Sequence, residues 1–152
     1  QWVVYKTSLS LLQTAKREYE KTRQPAVIQA AEHFFTQITQ NRYRRIIRPL
    51  ESDEIRVEDA RGRSKTLAEM SRGTREQLYL SMRLGLIEEY ESRSEPLPVI
   101  MDDVLVNFDD ARKSRVIELL SGFASRRQVI VLTCHRESLQ AYLKQKATPV
   151  TI

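Results

Sequence analysis

The 152-residue chain is short of cysteine and glycine, and each shortage narrows what it can do. Cys134 is the single cysteine, so an internal disulfide cannot form and a disulfide-stapled secreted scaffold is excluded. One unpaired thiol suits a reducing cytoplasm. No run approaches the roughly 18 apolar residues of a membrane span. No apolar stretch is longer than Val129-Ile130-Val131-Leu132, which has strand length. No segment has the form of a signal peptide. Gln1 in place of Met is expected of a piece excised from a longer protein. Only four glycines are present, Gly62, Gly73, Gly85 and Gly122, and none is followed by lysine. A phosphate-binding G-x-x-x-x-G-K-[ST] loop is therefore missing.

What is present suits one soluble domain. The chain is 41% apolar and 30% charged, enough for a core and ordinary in charge. The net +5 is unevenly spread: residues 1–48 carry nine Lys/Arg against three Asp/Glu, while residues 49–152 sum to −1. A basic first third points to a polyanion surface, against the plainer reading of a solvated helical face.

Residues 1–22 hold no Gly or Pro and read as helix. Trp2 and Leu9 fall on one heptad position, Tyr5, Leu12 and Tyr19 on another, and Lys16 interrupts the first set. An ordinary amphipathic helix gives the same stripe. Pro25 suits a helix first turn, and Val27, Ile28, Ala31, Phe34, Phe35 and Ile38 form an apolar stripe that predicts a helix ending near residues 40–41. Residues 43–48, 54–58 and 64–67 read as short strands of a small antiparallel sheet, with a turn at 59–62. A long helix is expected over 74–90, opened by a Thr74-x-x-Gln77 capping box and buried on two sides. Two apolar strands, 98–101 and 128–132, flank a helix over 109–123, the pattern of a right-handed parallel βαβ unit. A short helix over 137–144 and a last strand over 149–152 complete the reading.

Ligands bind beyond the carboxyl ends of strands in open parallel sheets. Here one strand ends in Asp102-Asp103 and the other in Thr133-Cys134-His135. A strand ending in an acidic pair suits nucleotide hydrolysis: one carboxylate holds Mg²⁺ through water and the other orients an attacking water. Acidic residues also end strands in many folds for structural reasons. Met70-Ser71-Arg72-Gly73-Thr74 precedes a helix, whose free N–H groups and positive dipole end suit a phosphate, although a simple cap explains the same residues. Cys134 beside His135 invites a metal reading. Two ligands are too few for zinc, His33 lies on a distant helix, and a small packed cysteine is preferred.

Taken in order, these pieces resemble one family. Ser71-Arg72-Gly73-Thr74-Arg75-Glu76-Gln77 is similar to an ABC signature in its SMC-like form. Leu97-Pro98-Val99-Ile100-Met101-Asp102-Asp103 resembles a Walker B strand, Asn107-Phe108-Asp109 a D-loop, and Thr133-Cys134-His135 a switch-histidine loop. The set resembles the C-terminal lobe of an SMC/RecF/SbcC-like ABC-type ATPase head, nearest the YhaN-like bacterial branch of the AAA family. The resemblance covers residues 25–152, and residues 1–24 fit the returning coiled-coil arm. The implied fold class is α/β, one lobe of a P-loop NTPase head with parallel βαβ strands and a small antiparallel sheet.

The resemblance implies ATP and Mg²⁺ as cofactors, both requiring an N-terminal Walker A lobe that the sequence lacks. Asp102 would hold Mg²⁺ through water. Asp103, standing where many relatives have the longer Glu, would orient the attacking water, and His135 would sense the γ-phosphate. Ser71, Arg72, Gly73 and Thr74 would contact a nucleotide held by a second head. The Arg72 side chain, at a position often held by Gly, either adds charge there or points to solvent. Asn107 and Asp109 would lie at the head–head interface of a homodimer. Arg42, Arg44 and Arg48 are expected on one strand face and Tyr43 and Arg45 on the other, a cluster that could touch DNA. The implied function is ATP hydrolysis in DNA repair or chromosome maintenance, with DNA and a nuclease subunit as further partners and no membrane. Two other readings stand beside it: a non-hydrolysing dimerisation or DNA-tethering module with a degenerate head, and a transporter nucleotide-binding piece, which the heptad helix and the missing loop argue against.

Overall fold

The computed structural model describes residues 25–49 and 54–150, together with Lys6, Thr7, Ser10, Leu11 and Thr14. Those five are helical, in keeping with a helix there. The heptad positions Trp2, Tyr5, Leu9, Leu12, Lys16 and Tyr19 lie outside the described residues.

Helix α1 (Ala26–Ile38) starts after Pro25, whose φ of −51° and ψ of 141° set the chain entering the first turn. Its stripe Ile28, Ala31, Phe34, Phe35 and Ile38 is buried. It stops because Gln40 and Asn41 turn left-handed, with φ of 54° and 60°. Strands β1 (Tyr43–Ile47), β2 (Arg56–Asp59) and β3 (Ser64–Thr66) form an antiparallel sheet in that order. The β2–β3 hairpin turns at Gly62, whose φ of +75° favours glycine. Asp59 caps the turn by accepting from the N–H groups of Arg61 and Arg63 at 2.9 and 3.0 Å.

A 3₁₀ turn (Leu67–Glu69) leads into α2 (Arg72–Glu91). The expected Thr74-x-x-Gln77 capping box does not form. Ser71 is the N-cap and accepts from the Thr74 N–H, while Thr74 and Gln77 are buried inside the helix. The capping box belongs to the 3₁₀ turn, where Glu69 accepts from the Thr66 N–H at 2.7 Å and from its hydroxyl at 3.0 Å. Strand β4 (Val99–Asp102), helix α3 (Asp110–Phe123) and strand β5 (Val129–Leu132) follow, and the two strands pair in parallel with Asp102 opposite Leu132. Helix α4 (Arg136–Lys144) is the last element. Pro149 and Val150 are not in a strand, contrary to expectation, and residues 151–152 lie outside the described ones.

The core has two parts, and α1 and α2 serve both. Phe34, Ile38, Leu80 and Leu84 join Met101, Leu105, Phe108, Val116, Ile117, Leu120 and Phe123 on the β4–α3 side. Ile28, Ala31, Phe35 and Leu78 join Tyr43, Ile46, Val57 and Met70 on the small-sheet side. The helices cross closely because Gly85 has no side chain: a Cβ there would lie 2.6 Å from the Ala31 nitrogen and 2.7 Å from the Val27 oxygen. Among the described residues, no helix is long and apolar enough to cross a membrane.

Candidate functional site

Parallel pairing of β4 with β5 brings their two polar endings together. The Asp103 N–H donates to the Leu132 carbonyl at 3.0 Å, one step past the ladder. Asp103 is left-handed, φ 43°, an unfavourable conformation for a residue with a side chain. The Thr133 hydroxyl fixes the turned carboxylate, donating to Asp103 Oδ1 at 2.7 Å. Cys134 Sγ lies 3.5 Å from Oδ2 as a weak donor, and His135 Nε2 lies 3.9 Å from the same oxygen. Thr133 also receives the His135 N–H at 3.1 Å, so its one hydroxyl braces both functional candidates.

These contacts set the charges. The Thr133 hydrogen bond is the main reason the Asp103 carboxyl sits below the usual carboxylate range; partial burial opposes it, and Cys134 and His135 assist. The hydrogen bond to that carboxylate, its charge and burial push the Cys134 thiol up, so it is a poor nucleophile. Tyr142 is pushed up to about 12 by burial and then by the Asp103 charge. Cys134 is exposed, not the packed core residue expected of it. With Asp103 it makes a third potential ligand beside His135, which sequence spacing alone had not supplied. Asp102 is exposed at the strand end.

The loop from Asp103 to Asp109 is anchored by Leu105 and Phe108, both buried. Asn107 and Asp109 are exposed, and Asp109 caps α3 by accepting from the Arg112 N–H at 2.9 Å. Arg112 also pairs with Asp109 at 3.3 Å, and its guanidinium lies over Gly73, where any Cβ would meet it. That side chain links the loop after β4 to the start of α2, a connection that sequence reasoning missed. The i, i+3 spacing of Asp109 and Arg112 was its only visible sign. At the start of α2, Ser71 and Thr74 hydroxyls are 2.8 Å apart, and Arg72 pairs with Glu76 at 3.1 Å. Among the described residues, no hydrogen bond or ion pair joins Ser71–Thr74 to the Asp103 cluster.

The basic strand departs from expectation. A bulge between Tyr43 and Arg45 breaks the period-two alternation, so Tyr43 and Ile46 share the buried face. The expected placing of Arg45 on the face of Tyr43 therefore does not hold. Arg44 is exposed at the bulge, Arg45 is half-buried opposite Glu58, Arg42 lies 5.7 Å from the Tyr43 ring centre, and Arg48 is exposed.

A concavity of about 550 Å³ lies elsewhere, between α1 and α3, lined by His33, Phe34, Gln37, Arg115 and Phe123 among others. No candidate site residue lines it. The Asp103 cluster sits instead on an open edge, beside an apolar face of Ile100, Ile130 and Leu132, exposed by 68%, 39% and 40%.

No family profile matches the chain. The uncharacterized protein YhaN of Bacillus subtilis (strain 168) is 29% identical over 142 residues, 93% of this chain, and the chain spans 15% of that protein's length. A structure from work on ATP-driven dimerization and DNA-stimulated activation of SMC ATPases superposes with a TM-score of 0.63 at 21% identity, covering 83% of this chain and 77% of that one. The Smc head domain of Pyrococcus furiosus, with an extended coiled coil and bound to the C-terminal domain of ScpA, gives a TM-score of 0.59 at 18% identity over 92% of this chain and 35% of that one. The SMC head domain from Thermotoga maritima gives 0.58 at 20% identity over 79% and 41%. The α/β chain thus has the fold of an SMC-like head lobe, as the order of its motifs implied.

Proposed function

We propose that this chain is the C-terminal half of an SMC-like ATPase head, residues 25–152, with residues 1–24 as the returning coiled-coil arm. The observation that carries the reading is the convergence on Asp103: a turned carboxylate at the end of a parallel strand, braced by Thr133 and faced by His135.

The residues present fit Mg²⁺ and a phosphate in part. Asp102 and Asp103 offer hard oxygen ligands at one strand end, where Mg²⁺ keeps most of its waters, and when bound it neutralises phosphate charge. Asp102 is the residue that holds it through water. Asp103, kept ionised by Thr133, is a weak proton acceptor and serves better to orient a water than to deprotonate it. His135 stabilises the charge that develops on the terminal phosphate. Ser71, Arg72, Gly73 and Thr74, at the N-terminus of a 20-residue helix, receive the nucleotide of a second head. Asn107 and Asp109 meet that head. ATP needs the phosphate loop of another segment, the N-terminal lobe. The uncovered apolar face of β4–β5 suits that lobe, since parallel sheets are covered on both faces. Arg42, Arg44 and Arg48 are exposed cations for DNA, with Arg45 half-buried beside them. A role in DNA repair or chromosome maintenance, a protein partner as in the ScpA-bound head, and a nuclease subunit extend the same reading.

The decisive experiment is Asp103→Asn in the full-length protein, which should lower ATP turnover about a hundredfold or more. Unchanged turnover rejects Asp103 as the hydrolytic carboxylate. The isolated chain should show no micromolar Mg-ATP binding by calorimetry, and such binding would overturn the split-head reading. One observation favours a non-hydrolysing dimerisation module: the short Asp103 is pulled toward Thr133 and Cys134. In that case the wild-type protein dimerises with ATP and shows no turnover.

A further inference from the structure

We propose that Asp103, Cys134 and His135 form a binding site for a soft divalent metal ion, zinc foremost, at the open edge of the β4–β5 pair. A carboxylate oxygen, a sulfur and an imidazole nitrogen lie within 4.8 Å of one another. Zinc bonds of about 2.3 Å to sulfur and about 2.0–2.2 Å to nitrogen and oxygen, at tetrahedral angles, set the ligand spacing. They place sulfur and oxygen about 3.6 Å apart and nitrogen and oxygen about 3.4 Å apart. The Cys134–Asp103 edge, 3.5 Å, is already at that spacing. The His135–Asp103 edge, 3.9 Å, is about half an ångström too long. The Cys134–His135 edge is within 4.8 Å, against about 3.5 Å at a zinc ion, so the exposed imidazole must move toward both other ligands on binding.

The donor set decides the ion. Thiolate and imidazole beside one carboxylate favour zinc or cobalt over magnesium and calcium, which prefer all-oxygen shells. Three protein ligands leave a fourth position for water, as in open zinc sites. The Thr133 hydroxyl on Asp103 Oδ1 orients the carboxylate from behind, the role outer partners play at metal centres. Cys134 and His135 are exposed, so an ion reaches them directly. On binding, the Cys134 thiol loses its proton to solvent and a metal–sulfur bond forms, with no change of oxidation state. The ligand set does not depend on ATP hydrolysis. Where the proposed function holds, zinc occupies both Asp103 and His135 and turns hydrolysis off.

Cobalt(II) titration of the full protein, without nucleotide, reads the site. One cobalt per chain should give a sulfur-to-metal charge-transfer band and visible bands of tetrahedral intensity, and zinc should bleach both. Cys134→Ser should abolish the charge-transfer band. His135→Ala should weaken zinc binding more than about tenfold, by the measure of losses at metal sites. Both residues are exposed, and matched circular dichroism checks that the variants fold. The absence of the band, its persistence in Cys134→Ser, or unchanged zinc affinity in His135→Ala would overturn the proposal. Because the readout needs no nucleotide, an inactive ATPase leaves it standing, and its failure leaves the ATPase reading standing.

Discussion

Replacing Arg127 by methionine should cost the fold about 3–5 kcal/mol, the usual penalty for leaving a buried charge without its partner. The Arg127 side chain is 2% exposed and that of Glu91 is 9%, and Nη2 meets Oε2 at 2.5 Å. The guanidinium lies 3.6 Å from the Phe123 ring centre. Glu91 is the last residue of α2, where the helix dipole is negative and repels a carboxylate. Arg127 offsets both that repulsion and the lost hydration. Methionine keeps most of the volume and a favourable contact with the ring, so the loss reports charge more than packing. Among the described residues, Arg127 Nε and Glu91 Oε1 are buried without hydrogen-bond partners, so the pair itself is only partly satisfied. An apolar pair should therefore do as well: Arg127→Met with Glu91→Met should match the wild type or exceed it by about 1–4 kcal/mol. Equilibrium urea unfolding of the three variants measures this, with the single variant's midpoint lower by about 2 M at a typical slope. A loss under about 1 kcal/mol in Arg127→Met, or a double variant as unstable as the single, would refute the assignment. The pair matters to the site because it fastens the end of α2 to the residue two before β5, the strand that leads to Thr133 and His135.

Gly85→Ala should destabilise by about 1–3 kcal/mol despite alanine's better helix propensity, because the new methyl meets the Ala31 and Val27 backbone. Gly122→Ala, with nothing within 4 Å, is the control and should be neutral or stabilising in thermal unfolding. Asp59 is held at about 2 against the ordinary 3.8: burial pushes it up, and hydrogen bonds from Arg63 and Arg61 and the Arg63 charge outweigh that. The depressed value means its contribution is complete above the unfolded pKa and lost as pH falls through about 4 to about 2, so Asp59→Asn should flatten the acid-side decline over that window. Thr133→Val removes the main cause of the low Asp103 pKa, and an NMR titration should show that carboxyl moving up; an unmoved titration removes Thr133 from the site.

Elements whose burial follows from local spacing were legible in the sequence. The stripe from Ile28 to Ile38 gave α1, because one helix face meets the core, and the apolar run from Val129 to Leu132 gave β5, although only Val129 and Val131 pack against the core. Elements that depend on a partner were not. Arg42–Arg48 looked alternating, yet the pairing with β2 inserts Arg44 as a bulge and puts Tyr43 beside Ile46, which no reading of one strand reveals. Thr74 looked like a cap because threonine and glutamine stand three apart. Ser71, one turn earlier, is the cap, since the small-sheet core needs Leu78 inside and carries Thr74 and Gln77 in with it.

At the site, the sequence supplied the endings and the register supplied the chemistry. Asp103 and Thr133 are 30 residues apart and meet because Asp102 pairs with Leu132. A register shifted by one residue would turn the side chains of β5 to the other face and alter what faces Asp103. The left-handed turn at Asp103 is equally non-local: its N–H reaches the Leu132 carbonyl only because β5 extends to that point. The same geometry explains why Cys134 is exposed where its type predicts a packed residue. From composition it is a small, soft residue suited to a core. Placed one residue beyond Thr133, on the edge where the chain leaves β5, it has a carboxylate for a neighbour and solvent on its other side. Residue type fixed what each group can do, and strand register fixed which groups stand close enough to do it together.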